Sequence, residues 1–284
     1  EELDAVTDSP IYLNRVCHHV ALVNSAAFQL AGITNDTPDP EGGKLGRHKN
    51  GELNGLLYEQ AMNLVSSIFQ QEGESYIDSL QHYLQLGIEH MQSYGLTGGH
   101  TEEMGYFGHY INPLTAYQRT VGDKKHFRVN LLRHHTVFEE MIKNNAPYDE
   151  PFIEPGAMKI FADGSFGGST AALLEPYANE LDNKGMLIHT DEQMEALIQL
   201  ARKYDEAVAI HIIGDGSMEQ VLTYLEKYPV NKGKRDRLIH CCLVSEEQLA
   251  RIKKLSVILD LQPAFVTSDF PWIREKLGEN RSGH

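Results

Sequence analysis

The chain has 284 residues, with 25 Lys and Arg against 40 Asp and Glu, which gives a formal net charge of −15. That length builds a large core as one large domain or two smaller ones. A balance this acidic repels phosphate backbones and anionic lipid, so neither nucleic acid nor membrane is expected as a partner.

The opening EELDAVTDSP has neither the basic nor the apolar region of a signal peptide, and no run approaches the roughly 20 apolar residues that span a bilayer. Residues 1–75 are punctuated by Gly32, Pro38, Pro40, Gly42, Gly43, Gly46, Gly51 and Gly55, with short apolar runs such as 20–23 between them. This reads as short helices and small strands on loops, an insertion-like region packed on a main domain at 76–284. Ile77, Leu80, Leu84, Ile88 and Met91 fall at helical spacing and predict a helix over 76–94 that Gly95 stops. Strands are expected at 96–101, 127–133 and 157–162, separated by segments that include the loops 102–126 and 164–189. A capping box at Thr190 and Gln193 opens a helix, followed by a strand at 207–213 and a helix at 215–227. A strand at 237–242, a second capping box at Ser245 and Gln248, and a strand at 257–262 complete the pattern.

Short strands, apolar on both faces and separated by helices, describe a parallel sheet covered by helices. The polar residues favour a barrel over a doubly wound sheet. His100, Asp163, His211 with Asp215, and His240 all fall at or just past strand ends in successive units, and a barrel converges those ends on one mouth. The expected fold class is therefore α/β, a (β/α)8 TIM-type barrel. Six strands are visible where a closed barrel has eight, so either strands are hidden in the first 75 residues or the barrel is incomplete, about its second to seventh strands.

Lys159 is embedded in an apolar strand, where a cation is costly unless neutralised or paired. Either it lies on an edge and snorkels outward, or it points inward and is carboxylated by CO2, giving a carboxylate able to bridge divalent metals. One histidine on a strand is usually a satisfied core residue. His211 and His240, at matching positions of consecutive strands after a buried lysine, suit zinc or another divalent metal. The glycines 164, 167 and 168 do not form G-x-G-x-x-G or a P-loop, and Ser165 in D-G-S-F-G is not a nucleophile elbow. Three cysteines, Cys17, Cys241 and Cys242, have no framework spacing, which fits a reducing, cytoplasmic setting.

The runs K-I-F-A-D-G-S (159–165), A-I-H-x-I-G-D (209–215), R-L-I-H (237–240), L-Q-P-x-F-x-x-S-D-x-x-W (261–272), R-V-C-H-H-V-A-L-V-N-S-A-A (15–27) and G-L-T-G-G-H (95–100) together resemble the amidohydrolase superfamily, of its YtcJ-like amidohydrolase 3 type. The resemblance implies a barrel hydrolase that opens amide-like C–N bonds with a metal-bound hydroxide. It matches Lys159 to a carboxylated, metal-bridging lysine and His211 and His240 to metal ligands. It gives His19 and His100 to the substrate pocket or its surroundings, and Asp163 and Asp215 either to the support of the metal ligands or to loop fixing. Two family features have no counterpart here: the His-x-His of the first barrel strand and the acid ending the eighth. His18–His19 and His134–His135 are adjacent pairs, His109 stands alone, and Asp269 follows the seventh strand. These departures lead to the expectation of a truncated chain, without the family's β-sandwich, inactive or only partly metal-binding by itself. Open sheet edges would press it toward a homo-oligomer. The alternative is a non-catalytic binding or regulatory barrel with an unmodified Lys159.

Overall fold

This computed structural model describes residues 2–15, 18–69, 72–122, 126–146, 148, 151–270 and 272–282. Val16, Cys17, residues 123–125, Pro271 and His284, which figure in the motifs, loops and terminus above, lie outside the described residues.

In chain order the first elements are β1 (Tyr12–Asn14), β2 (Val20–Val23), α1 (Ser25–Leu30), β3 (Gly43–Arg47), β4 (Leu53–Glu59) and α2 (Asn63–Ser66). The first parallel stretch follows with α3 (Glu74–Ser93), β5 (Gly98–Thr101), α4 (Ile111–Thr120), β6 (Arg128–His134), α5 (His135–Lys143) and β7 (Ile153–Phe161). The chain continues through α6 (Asp191–Lys203), β8 (Val208–Ile212), α7 (Asp215–Lys227), β9 (Asp236–His240), α8 (Glu246–Ile252), β10 (Val257–Asp260), α9 (Ala264–Asp269) and α10 (Ile273–Arg281).

Two sheets result. One has four strands in the order β1-β2-β4-β3, and its pairs are antiparallel. The other has six in the order β10-β9-β8-β7-β6-β5, with parallel registers such as Val257 against Asp236 and Gly98 against Arg128. The fold class is thus α/β, a parallel sheet of six strands interleaved with helices, as an incomplete TIM-type barrel requires. The chain divides into two compact units. The first comprises Glu1–Phe69, Phe161–Leu200 and Ile210–His284; the second comprises Gln70–Ile160 and Ala201–Ala209.

In the first unit the early residues are more ordered than loop punctuation suggests. Asn24 caps α1 by accepting the Ala27 N–H at 3.1 Å. In β4 the period of two buries Gly55, Leu57 and Glu59 while Asn54, Leu56 and Tyr58 stay half-buried. Leu57 packs with Ala21, Val23, Phe28, Leu45 and Val65 in a core of its own.

In the second unit two helices lie where the sequence suggested none. The segment 102–126 contains α4: Asn112-Pro113 reads as a turn signal, but proline fits a helix's first turn, where its missing N–H costs nothing. Leu114, Tyr117 and Val121 then join Ile88, Met104 and Phe127 in a buried cluster. His134, whose side chain accepts the Thr136 N–H, caps α5. The strand expected at 157–162 begins earlier, because residues 153–155 already pair with Val129, Asn130 and Leu131 of β6 before a register shift. Arg133, buried on β6, is satisfied by the Gly156 carbonyl at 2.8 Å, by Glu206 at 3.1 Å and by the Phe138 ring.

Candidate active site

β8 is buried along its whole length, and its fourth residue, His211, belongs to the first unit. The His211 Nε2 lies 2.9 Å from the Gly164 carbonyl oxygen. A carbonyl only accepts, so Nε2 carries the hydrogen and the neutral ring has its lone pair on Nδ1. His240 ends β9 at φ +76°, and Cys241 follows at +49°; both are left-handed, a conformation disfavoured for residues with side chains. The His240 ring stands 4.7 Å from the His211 ring at 76° and stacks on Phe265. The Gln262 Oε1, 2.7 Å from His240 Nδ1, accepts its hydrogen and puts the lone pair on Nε2.

On another side of His211 lies the His19 ring, again with 4.7 Å between centroids, and Phe161 approaches at 5.1 Å. His19 Nδ1 contacts Glu59 Oε2 at 2.7 Å, and Thr170 Oγ1 donates to Glu59 Oε1 at 2.7 Å. His19, Glu59 and Thr170 are all buried. Thr170 also borders a cavity of about 460 Å³ with Arg15, Lys44, Tyr58 and Glu180.

Asp163, wholly buried, follows β7 and receives three backbone N–H groups, from Ala172, Ile213 and Gly214, at 2.8–3.0 Å. Burial pushes its carboxyl up to about 7, and these donors pull the other way. Its Oδ1 is 3.7 Å from His211 Nε2. Asp215, the first residue of α7, accepts the Leu174 N–H at 3.0 Å. Both acids therefore fasten the segment after β7. A Cβ at Gly214 would run into the Ala172 carbonyl oxygen, so a side chain there would displace the backbone. Cys241 and Cys242 carry free thiols that burial pushes up to about 12, which keeps them protonated and poor as ligands or nucleophiles at neutral pH.

In the second unit, Lys159 lies on β7, opposite His134 of β6, and is 3% exposed. It sits on an inner strand of the sheet, not on an edge. Burial pushes its amine down to about 8, and the Glu102 carboxylate pulls it up. His100 is exposed on β5, opposite Asn130, beside a cavity of about 330 Å³ shared with Arg128, Phe152 and Glu154.

The first unit thus gathers His19, His211, His240 and Asp163, with Asp215 at the foot of the same loop; Lys159 and His100 belong to the second. Among the described residues, no group of three or more His, Cys, Asp and Glu is placed to hold a metal ion. Glu59, Thr170 and Gln262 were not singled out from the sequence as functional. For Glu59 a signal exists: the alternation of β4 places its acid on the buried face.

The model of the amidohydrolase family matches residues 1–284. The chain belongs to the amidohydrolase family. It is 42% identical over 278 residues to YtcJ of Bacillus subtilis (strain 168), an amidohydrolase by name, covering 96% of this chain and 51% of that protein. It is 27% identical over 284 residues to the N-substituted formamide deformylase of Arthrobacter pascens, covering 95% and 51%. A metal-dependent hydrolase from Pyrococcus furiosus shares its fold with a TM-score of 0.70 at 26% identity, over 98% of this chain and 55% of that one. This amidohydrolase chain spans about half the length of the curated relatives it matches. Among its described residues no helix is long and apolar enough to cross a membrane.

Proposed function

We propose that the whole protein is a cytoplasmic, metal-dependent hydrolase of amide-like C–N bonds in a small molecule, with Lys159, His211 and His240 as its metal ligands. The observation that carries this reading is the His211–His240 pair. Two imidazoles from β8 and β9 stand 4.7 Å apart, and each has one nitrogen engaged by a protein acceptor, Gly164 O or Gln262 Oε1. Support of this kind fixes the tautomer and orientation of metal-ligating histidines. The pair supports a reading with a divalent ion, of which zinc is the one we propose, and zinc in proteins takes three or four protein ligands. Lys159 would complete the set as a carbamate: its neutral Nζ attacks the carbon of CO2, an N–C bond forms as one C=O π bond opens onto oxygen, and one proton passes from Nζ to water. A buried amine pushed down to about 8 has a reactive neutral fraction near pH 7.

When bound, the metal lowers the pKa of water to about 7 and polarises the substrate carbonyl. The chain's own residues do the positioning. Asp163 and Asp215 hold the segment after β7, and His19 presents its ring beside His211 for contact with substrate. The relative named a deformylase makes N-substituted formamides the first class to screen.

The test is metal content of the whole protein that contains this chain, together with its intact mass after bicarbonate incubation. About one divalent ion per chain and a mass gain of one CO2 are expected, both lost in Lys159→Met, and the ion lost in His211→Ala. A whole protein with neither ion nor added mass would refute the metal reading and favour a binding protein built on the same sheet.

A further inference from the structure

We propose that Glu59 and Thr170 are positioning residues that fix His19 as its Nδ1–H tautomer, so that the ring offers its Nε2 lone pair to an N–H or O–H of the substrate. The functional half of this rests on the hydrolase reading above; the tautomer is a property of the chain.

Glu59 closes β4 on its buried face, where a carboxylate needs donors. It has two, one on each oxygen: His19 Nδ1 on Oε2 and Thr170 Oγ1 on Oε1, both at 2.7 Å. A carboxylate only accepts, so the hydrogen of the first contact is on Nδ1. Thr170 is itself oriented. Its Oγ1 accepts the Ser165 N–H at 3.0 Å, and its single hydrogen goes to Glu59 Oε1 at 2.7 Å in preference to the Ser165 carbonyl at 3.5 Å.

Two further observations show that the arrangement is built in. Glu59 has φ +49°, a left-handed conformation that a residue with a side chain adopts only where its surroundings compel it. A Cβ at Gly164 would collide with both Thr170 Oγ1 and Glu59 Oε1. The backbone of residue 164 is thus packed directly against this pair, while its carbonyl receives the hydrogen of His211 Nε2. One turn therefore sets two neighbouring rings in opposite tautomers, His19 protonated on Nδ1 and His211 on Nε2. The histidine beside the proposed metal ligands becomes an acceptor, and a substrate that presents an N–H or O–H there is preferred over one that presents a carbonyl.

The experiment is two-bond 1H–15N correlation spectroscopy of the 15N-labelled chain under mildly alkaline conditions, with His19→Gln to assign the ring. The unsubstituted chain should show His19 as Nδ1–H; an Nε2–H ring or a tautomer mixture overturns the proposal whatever the variants do. In Glu59→Gln, Thr170 still donates to Oε1, so the amide NH2 turns to His19 and the proton moves to Nε2. In Glu59→Gln with Thr170→Val the amide is free to turn over, and Nδ1–H should return. A His19 signal unchanged in Glu59→Gln, with His211 signals showing an intact fold, also overturns it. These tautomers in the chain, with no metal in the whole protein, would refute the metal reading and leave this inference standing.

Discussion

Three amides point at the buried Asp163, and the imidazole of His211 lies farther off at 3.7 Å. Its carboxylate oxygens accept all three, so an amide in their place would turn an NH2 against at least one N–H. Asp163→Asn should therefore cost about 1–3 kcal/mol, the range for a buried donor left unsatisfied, measured by urea denaturation followed by circular dichroism. A loss within error would mean that the three amides find other partners. At this scale the sequence was partly legible. His211, His240 and Lys159 stand out because polar residues interrupt apolar strands at matching places. Glu59 and Thr170 do not, because their contact joins residues 111 apart in the chain and no local pattern encodes such a meeting.

The strands and helices that follow a strong period were read closely, and their caps most closely. The Ser245 box forms as expected, with Gln248 N–H on Ser245 Oγ at 3.2 Å and Ser245 N–H on Gln248 Oε1 at 3.1 Å. The same Gln248 also donates to the Asp215 carbonyl at 2.8 Å, tying α8 to the start of α7. Ser245→Ala should cost about 1 kcal/mol, the usual effect of removing an N-cap hydroxyl, read as a lowered urea midpoint with an unchanged slope. No change in the midpoint would show that Gln248 alone holds this helix start. Elements with mixed signals escaped. α4 carries Pro113 in its first turn, and α5 opens on two histidines, so neither announces a helix. The early strands were expected as small strands on loops, and β2 falls on the 20–23 run; their apolar residues are enough for a separate core around Leu57.

For the molecule as a whole, the parallel class was legible from the alternation of strands and helices; the division into two units was not, since each is assembled from separated segments. Among the described residues, β5 and β10 each have one strand neighbour. Near β10, Leu261, Val266 and Phe270 are 59%, 70% and 49% exposed. Unpaired edges beside exposed apolar residues invite self-association. Light scattering after size exclusion should therefore give a mass that rises above 32.0 kDa with concentration and falls back in Leu261→Lys. A constant monomer mass would count against it. Asp163 also has a bearing on how the chain folds. Its three amides come from a loop nine residues on and from a strand exit about fifty residues on. No pair of neighbours along the chain can assemble that cluster early. The turn at 164–172 should therefore order only once the exit of β8 stands beside Asp163, so the loop of the candidate site depends on the sheet beneath it.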